Sequence, residues 1–196
     1  MNIVRALKFK TPKRAIVVGV DASSTSIAFA IFSQTEDKTH LLSTSKINIG
    51  VFKRNDKLKF ISLFIPEFLS KYDIDYIFVE QPIYIQNPAT SRILSQVSGH
   101  LIGECLKVTD NVDEVIISKW KSFIGYKNVS KAEKSLWARD FGEKESKKMA
   151  ISERKLRTVR IVHEKIYGID HIVDNDICDA IGIGLYGLSV VNKGGQ

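Results

Sequence analysis

The sequence predicts an α/β protein in which helices flank a mixed β-sheet. Three strand-like segments come first along the chain, and short apolar strand-like segments then alternate with segments of helical periodicity. Strands are predicted at residues 15–20, 27–32, 41–49, 76–79 and 112–117, and helices at residues 57–69, 88–107 and 174–191. A run of strands followed by alternating helices and strands favours one sheet covered by helices.

Each of the early elements has a local reason. The run AIVVGV at residues 15–20 is apolar and β-branched, which is typical of a strand buried on both faces, and it ends at Asp21. The small polar residues 22–26 turn the chain into the second strand, IAFAIF. Residues 57–69 show apolar positions at helical spacing, with Pro66 as a place where the helix kinks or restarts. The short strand YIFV ends at Glu80, and Pro82 then stops further pairing.

The later elements are longer and more helical. Residues 88–107 contain no internal proline and repeat apolar residues at helical spacing. A short strand follows at 112–117, and then the lysine-rich segment SKWKSFIG. Residues 125–152 give the weakest pattern, and we expect a mobile or inserted region there. The helix at 174–191 opens with acids, as the helix dipole favours, and continues as the apolar run IGIGLYGLSVV.

Length and composition limit the classes of protein that are possible. The chain has 196 residues, of which 44% are hydrophobic, so we expect one domain at residues 15–196 after a basic extension at residues 1–14. The absence of an apolar run of about 18 residues and of an apolar signal segment disfavours integral membrane and secreted proteins. Two cysteines form neither a disulfide framework nor a zinc-ligand spacing. We therefore expect a cytoplasmic protein with no membrane partner.

Basic residues are concentrated in two places. Five Lys or Arg and no acid occur in the first 14 residues, and eight Lys or Arg occur at residues 144–165. A frayed tail and a solvated helix face are the commoner explanation of such runs. Charge alone therefore makes a polyanionic partner plausible and no more.

Four acids stand at positions that favour a common site. Asp21 and Glu80 directly follow apolar strands, and Asp176 and Asp179 are three residues apart at the start of the last helix, on one helical face. Taken singly, each acid is better explained as a turn cap, a solvated strand end or a helix start. Taken together, they resemble the carboxylate cluster that holds two Mg²⁺ or Mn²⁺ ions in phosphoryl hydrolysis.

The same residues carry a resemblance to a known family. The ordered segments VGVDASS, FVEQP and DICDAIGIG, at residues 18–24, 78–82 and 176–184, resemble the RuvC-type Holliday-junction resolvases of the RNase H-like superfamily. The segments SRILSQVSGHLIGE, SKWKSFIG and SKAEK between them also resemble segments of that family, so the likeness extends over residues 15–188. The basic start and the long segment at 125–152 are more similar to phage-encoded members than to cellular ones, and the resemblance implies the cytoplasm of a bacterium or of a phage-infected host cell.

This resemblance implies an RNase H-like fold with a mixed five-stranded sheet, a homodimer, and nicking of opposing strands of a four-way DNA junction with Mg²⁺, or Mn²⁺ in its place. By position, Asp21, Glu80, Asp176 and Asp179 take the places of the family's catalytic, metal-binding acids. The lysines that the family uses near DNA phosphates correspond to Lys121 and Lys134. Where many members have an aromatic residue three positions after the glutamate, this chain has Ile83 followed by Tyr84. Stacking of Tyr84 on an unpaired base and ordinary core packing remain equal alternatives.

Three other functions compete with junction resolution. The nearest is a broader nuclease of the same fold that cuts flaps, forks or structured RNA. The second is an actin-like phosphotransferase that binds ATP, since GVDASSTS also resembles a phosphate-binding strand-turn-strand; such folds have two related halves, and 196 residues without a repeat are too few. The third is a non-catalytic junction-binding protein, against which the retention of four acids argues.

Overall fold

The computed structural model describes residues 2–3, 14–36, 38–83 and 87–193. Its strands form one sheet, with the spatial order β1-β4-β3-β2-β5-β6. The strands are β1 (Asn2–Ile3), β2 (Ala15–Ala22), β3 (Ser26–Gln34), β4 (Thr39–Asn48), β5 (Tyr76–Glu80) and β6 (Val112–Val115). The pairs β2–β5 and β5–β6 are parallel and the other pairs are antiparallel. Strands β2 to β6 confirm the predicted mixed five-stranded sheet, and the two residues of β1 extend its edge next to β4.

Helices cover both faces of the sheet. They are α1 (Arg54–Leu69), α2 (Pro88–Cys105), α3 (Ile117–Ile124), α4 (Lys131–Phe141), α5 (Glu143–Lys165) and α6 (Asn175–Lys193). Helices α1 and α2 pack on one face of the sheet, and α3, α5 and α6 pack on the other, which gives two buried cores. Helix α1 continues through Pro66 without a restart. None of the helices in the described ranges is long and apolar enough to cross a membrane.

The segment at residues 125–152, expected to be mobile or inserted, folds into α4 and the start of α5. A capping box begins α4: the Ser130 hydroxyl accepts from the Glu133 backbone N–H at 3.1 Å, and the Glu133 carboxylate accepts from the Ser130 N–H at 2.7 Å. Gly142, with φ of +83°, separates the two helices. The segment is therefore helical although its apolar pattern is weak, and the capping box and Gly142 mark where its helices begin and end.

Helix α6 lies unusually close to strand β2. A Cβ atom at Gly19 would stand 2.2 Å from the Ala180 carbonyl oxygen and 2.3 Å from the Gly184 backbone nitrogen. A Cβ atom at Gly182 would likewise stand 2.6 Å from the ring of Trp120. Glycine at position 19 therefore permits the backbones of β2 and α6 to come this close. As a result, the first turn of α6 lies beside the end of β2.

Candidate active site

Two of the four predicted acids meet because two parallel strands end together. In the β2–β5 ladder Val20 is paired with Val79, so the next residues, Asp21 and Glu80, are neighbours at one edge of the sheet. Both acids line a cleft of about 240 Å³, together with the turn after β2 and the segment after β5. The pairing of the two buried strands thus holds two carboxylates at one opening.

The other two acids come from the first turns of α6. Asp176 and Asp179 are three residues apart on this helix, and the tight packing of α6 on β2 brings that turn to Asp21. Asp176 also accepts a hydrogen bond from the Ser26 hydroxyl at the start of β3, at 2.9 Å. We call Asp21, Glu80, Asp176 and Asp179 the acidic cluster.

The electrostatics of the acidic cluster show that its members interact. Burial raises the pKa of Asp21 well above its ordinary value, and the charges of the other three acids raise it further. Burial also raises the pKa of Glu80 to about 7 and that of Asp179 to about 6. The Lys121 ammonium lowers the pKa of each of these three groups. A cluster of this kind attracts cations, because a bound cation relieves both desolvation and repulsion.

Three acids of the cluster each accept a hydrogen bond from a neighbouring side chain on one carboxylate oxygen. The bonds are Trp120 Nε1 to Glu80 Oε2 at 2.7 Å, Asn175 Nδ2 to Asp179 Oδ2 at 3.1 Å, and Ser26 Oγ to Asp176 Oδ2 at 2.9 Å. The second oxygen of Asp179, Oδ1, is buried and has no hydrogen-bond partner within the described part of the chain. Buried polar atoms are rarely left without a partner, so Asp179 Oδ1 is an acceptor available to a ligand.

The donor set suits a hard divalent cation. It consists of carboxylate oxygens, which Mg²⁺ and Mn²⁺ prefer, and one of these oxygens is an unpartnered buried acceptor. Over residues 2–3, 14–36, 38–83 and 87–193, no three His, Cys, Asp or Glu side chains already form a metal-binding group. Ligation by all four acids therefore requires their side chains to turn toward a common point.

The predicted DNA-contacting residues fall in different places. Lys121 lies on α3 near the acidic cluster, with its Nζ 5.1 Å from the ring centre of Trp120 and 5.0 Å from that of Tyr126. Lys134 lies on α4 and lines a groove of about 620 Å³ between α4 and α5, which also contains Lys147 and Arg154. Tyr84 lies outside the described residues. The structure thus places Lys121, and not Lys134, among the acids.

Several residues of the site were not identified from the sequence. Trp120 and Cys178 are both fully buried. Trp120 in addition donates to Glu80, and Ser26 and Asn175 donate to the acids of α6. No motif marks these partners, because the contacts of Trp120 and Ser26 join residues 40 and 150 positions apart.

A mixed sheet of this order, with Asp21 and Glu80 at the ends of adjacent parallel strands and Asp176 and Asp179 in the first turns of a covering helix, has the RNase H-like fold. The family model "Crossover junction endodeoxyribonuclease RuvC" matches residues 17–139. This match covers more than half of the chain, so the chain belongs to the RuvC family of crossover junction endodeoxyribonucleases. The match includes Asp21, Glu80 and Lys121 and ends before α6.

Solved structures of resolvases share the fold. Thermus thermophilus RuvC in complex with a Holliday junction substrate superimposes with a TM-score of 0.63 at 10% identity, over 90% of this chain and 95% of that one. The Fowlpox virus resolvase in complex with Holliday junction DNA gives a TM-score of 0.52 at 15% identity, over 90% and 98%. The yeast mitochondrial Holliday junction resolvase gives 0.52 at 14% identity, over 96% and 83%. Comparison with curated protein sequences finds no match.

Proposed function

We propose that this chain resolves four-way DNA junctions by nicking opposing strands, and that the acidic cluster holds the divalent cations that the reaction requires. The observation that carries the proposal is the meeting of Asp21 and Glu80, which line one cleft, with the acids of the first turns of α6. Burial, with a smaller contribution from neighbouring acids, raises the pKa of Glu80 to about 7 and that of Asp179 to about 6. Structural ion pairs would lower these values, so the arrangement is better suited to binding a cation than to stabilising the fold.

Mg²⁺ is the proposed cation, with Mn²⁺ as an alternative. When bound, such ions would activate the attacking water and stabilise the leaving oxygen of the phosphodiester. Asp21 and Glu80 would hold the ions from the sheet, and Asp176 and Asp179 would hold them from α6. Trp120 keeps Glu80 in place through its bond to Oε2, which leaves Oε1 for ligation.

Lys121 is the proposed contact to the phosphate being cut. It already reduces the negative field of Asp21, Glu80 and Asp179, as their pKa values show. A cation at this position orients a phosphate and offsets the charge that develops on it. Lys134, in the basic groove between α4 and α5, is proposed to contact a phosphate further from the cut, and Tyr84 to contact the junction centre.

We further propose that the active form is a homodimer. Resolution of a junction requires two nicks in opposing strands, and each chain contributes one acidic cluster. A two-fold pair of chains matches the two-fold symmetry of a junction and places one cluster on each of the two strands. Sedimentation velocity of the protein with and without junction tests this directly, since a species of one chain per junction contradicts it.

The decisive experiment is cleavage of an end-labelled immobile four-way junction with Mg²⁺, with linear duplex and a flap as competing substrates. Asp176→Asn should cut more than about 100-fold slower, because removing a metal ligand costs more than removing a partner of a ligand. Asp113→Asn, on the exposed part of β6, is the matched control and should cut as wild type does.

Each outcome of this assay separates the candidate functions. Paired symmetric nicks in the junction alone support a resolvase. Equal cutting of flaps supports a broader nuclease of branched DNA, and cutting of structured RNA supports an RNA nuclease. Tight junction binding without cutting, with either metal, contradicts the proposed role of the acidic cluster.

A further inference from the structure

Lys46 on β4 lies level with Asp21 on β2, with β3 between them. In the ladder between β2 and β3, Asp21 is paired with Ala28, and in the ladder between β3 and β4, Ala28 is paired with Lys46. Residues directly opposite one another in antiparallel strands project to the same face of the sheet. Lys46 therefore projects to the face that α6 covers, where Ala28 is part of the core.

The Lys46 ammonium bridges two acids of the α6 start. Its Nζ lies 2.8 Å from Asp174 Oδ2 and 2.9 Å from Asp176 Oδ2. The other oxygen of Asp174, Oδ1, accepts from the backbone N–H groups of Asp176 and Ile177, at 3.0 and 3.2 Å. Asp174 thus caps α6 with one oxygen and holds Lys46 with the other, which fastens the start of the helix to strand β4.

The contacts of Asp176 divide its two oxygens. Oδ2 receives both the Ser26 hydroxyl and the Lys46 ammonium. Oδ1 receives no hydrogen bond from any residue that the structure describes. Two donors from different strands on one oxygen fix the rotation of the carboxylate, so Oδ1 is the atom left for a cation. Carboxylates that bind metals are generally held in this way by outer partners.

The charge balance allows Lys46 to do this without neutralising Asp176. Asp174 supplies a negative charge at 2.8 Å from the same ammonium. The pair of Lys46 and Asp174 is therefore close to neutral, and Asp176 keeps its charge for the cation. The three side chains are about one-third exposed, and ion pairs of that exposure contribute little to stability.

We propose that Lys46 is a positioning residue of the site, which orients Asp176 for metal binding, with Asp174 as its counter-charge. This inference rests on the proposed function, because it takes Asp176 as a ligand of the divalent ion. The alternative role is competition, in which the Lys46 ammonium occupies the place of the metal ion beside Asp176. The two roles predict opposite changes in metal affinity when the lysine charge is removed.

The test compares Mg²⁺ binding by isothermal titration calorimetry for the metal-free full chain and its variants. Lys46→Met removes the charge and keeps the chain length, and it should weaken Mg²⁺ affinity by about 10-fold, the lower end of what outer partners contribute. Lys46→Arg should recover most of the affinity. Lys38→Met, at an exposed position just before β4, is the matched control and should bind as wild type does.

Asp174→Asn supplies a second, independent variant. Asparagine caps a helix as well as aspartate does, so α6 should fold normally. The Lys46 charge would then be uncompensated beside Asp176, and Mg²⁺ affinity should fall. In the double variant Lys46→Met with Asp174→Asn, the second substitution should lower Mg²⁺ affinity little further. The lysine charge that it would leave uncompensated is already gone.

A lowered melting temperature with unchanged Mg²⁺ affinity in Lys46→Met would reduce Lys46 to a structural ion pair and overturn the inference. Tighter Mg²⁺ binding would overturn it in favour of competition. If the wild type binds Mg²⁺ and cuts junctions, and Lys46→Met does both equally well, this inference is refuted and the proposed function stands. Wild-type protein that does neither refutes the proposed function, and this inference with it.

Discussion

Replacing Glu80 with glutamine should stabilise the metal-free protein in a pH-dependent way. Burial raises the pKa of this carboxyl from an ordinary 4.5 to about 7. Between these values the folded chain keeps the proton and the unfolded chain has released it, so wild-type stability falls as the pH rises through this window. The full loss corresponds to about 3 kcal/mol, since each pKa unit is worth about 1.4 kcal/mol.

Glutamine removes the titration while keeping the local contacts. Its side-chain oxygen can still accept the hydrogen bond from Trp120 Nε1, which Glu80 accepts at 2.7 Å. The variant should therefore match wild type near pH 4 and exceed it above about pH 7 by up to about 3 kcal/mol, or about 6 to 12 °C in melting temperature for a chain of this size.

The assay is thermal and urea unfolding followed by circular dichroism, in chelator, at pH values from about 4 to about 8.5. Glu114→Gln, at an exposed position on β6, is the control and should show no pH-dependent difference from wild type. Added Mg²⁺ should then stabilise wild type more than Glu80→Gln, because the ion binds the folded state through the acid. A difference between Glu80→Gln and wild type that is constant across this pH range would refute the electrostatic account of the cluster.

Three further changes test the packing and the charges around the site. Gly184→Ala should lower the free energy of unfolding, measured in urea, by about 1 to 3 kcal/mol, because the new Cβ would lie 2.4 Å from the Phe32 ring. Gly103→Ala is the control: a Cβ there meets open space, so the change should be neutral or stabilising. Lys121→Ala should slow cleavage and reduce the salt dependence of junction binding by about one phosphate contact, and an unchanged salt slope would remove it from the site. Trp120→Phe should shift the pH–rate profile of cleavage to higher pH. The hydrogen bond from Trp120 lowers the pKa of Glu80 in the wild type, so its loss should raise that pKa.

The sequence predicts the strands and the helical spacing of the acids because both depend on short patterns. Apolar runs that end at Asp21 and Glu80 are strands in the structure, and their parallel pairing brings the two acids together. The i, i+3 spacing of Asp176 and Asp179 is likewise a property of the helix alone. The strands and the helical spacing are each decided within a few residues, whereas the parallel pairing that brings Asp21 to Glu80 joins distant segments.

The partners of the acids were not predicted because they depend on register and packing between distant elements. Lys46 reaches Asp174 from 128 positions away, through a β3–β4 ladder whose register shifts between Ile31 and Phe32. No local pattern gives that register. The helix at residues 131–141 is a different case, since the S-x-x-E spacing of Ser130 and Glu133 is a capping-box signal that could have revealed it.

Helix α6 explains how a chain can hold four mutually repelling acids. Its first turns carry Asp176 and Asp179, and the rest of the helix is buried against the sheet. The close contact between Gly19 and Gly184 lets α6 approach β2, and burial of the apolar residues of α6 opposes separation from Asp21, although separation would relieve the repulsion. Burial and repulsion therefore appear together as raised pKa values of the acids, and not as a displaced helix. The glycines of α6 thus matter to the chemistry of the site as well as to the core, because they fix the distance at which the acids must coexist.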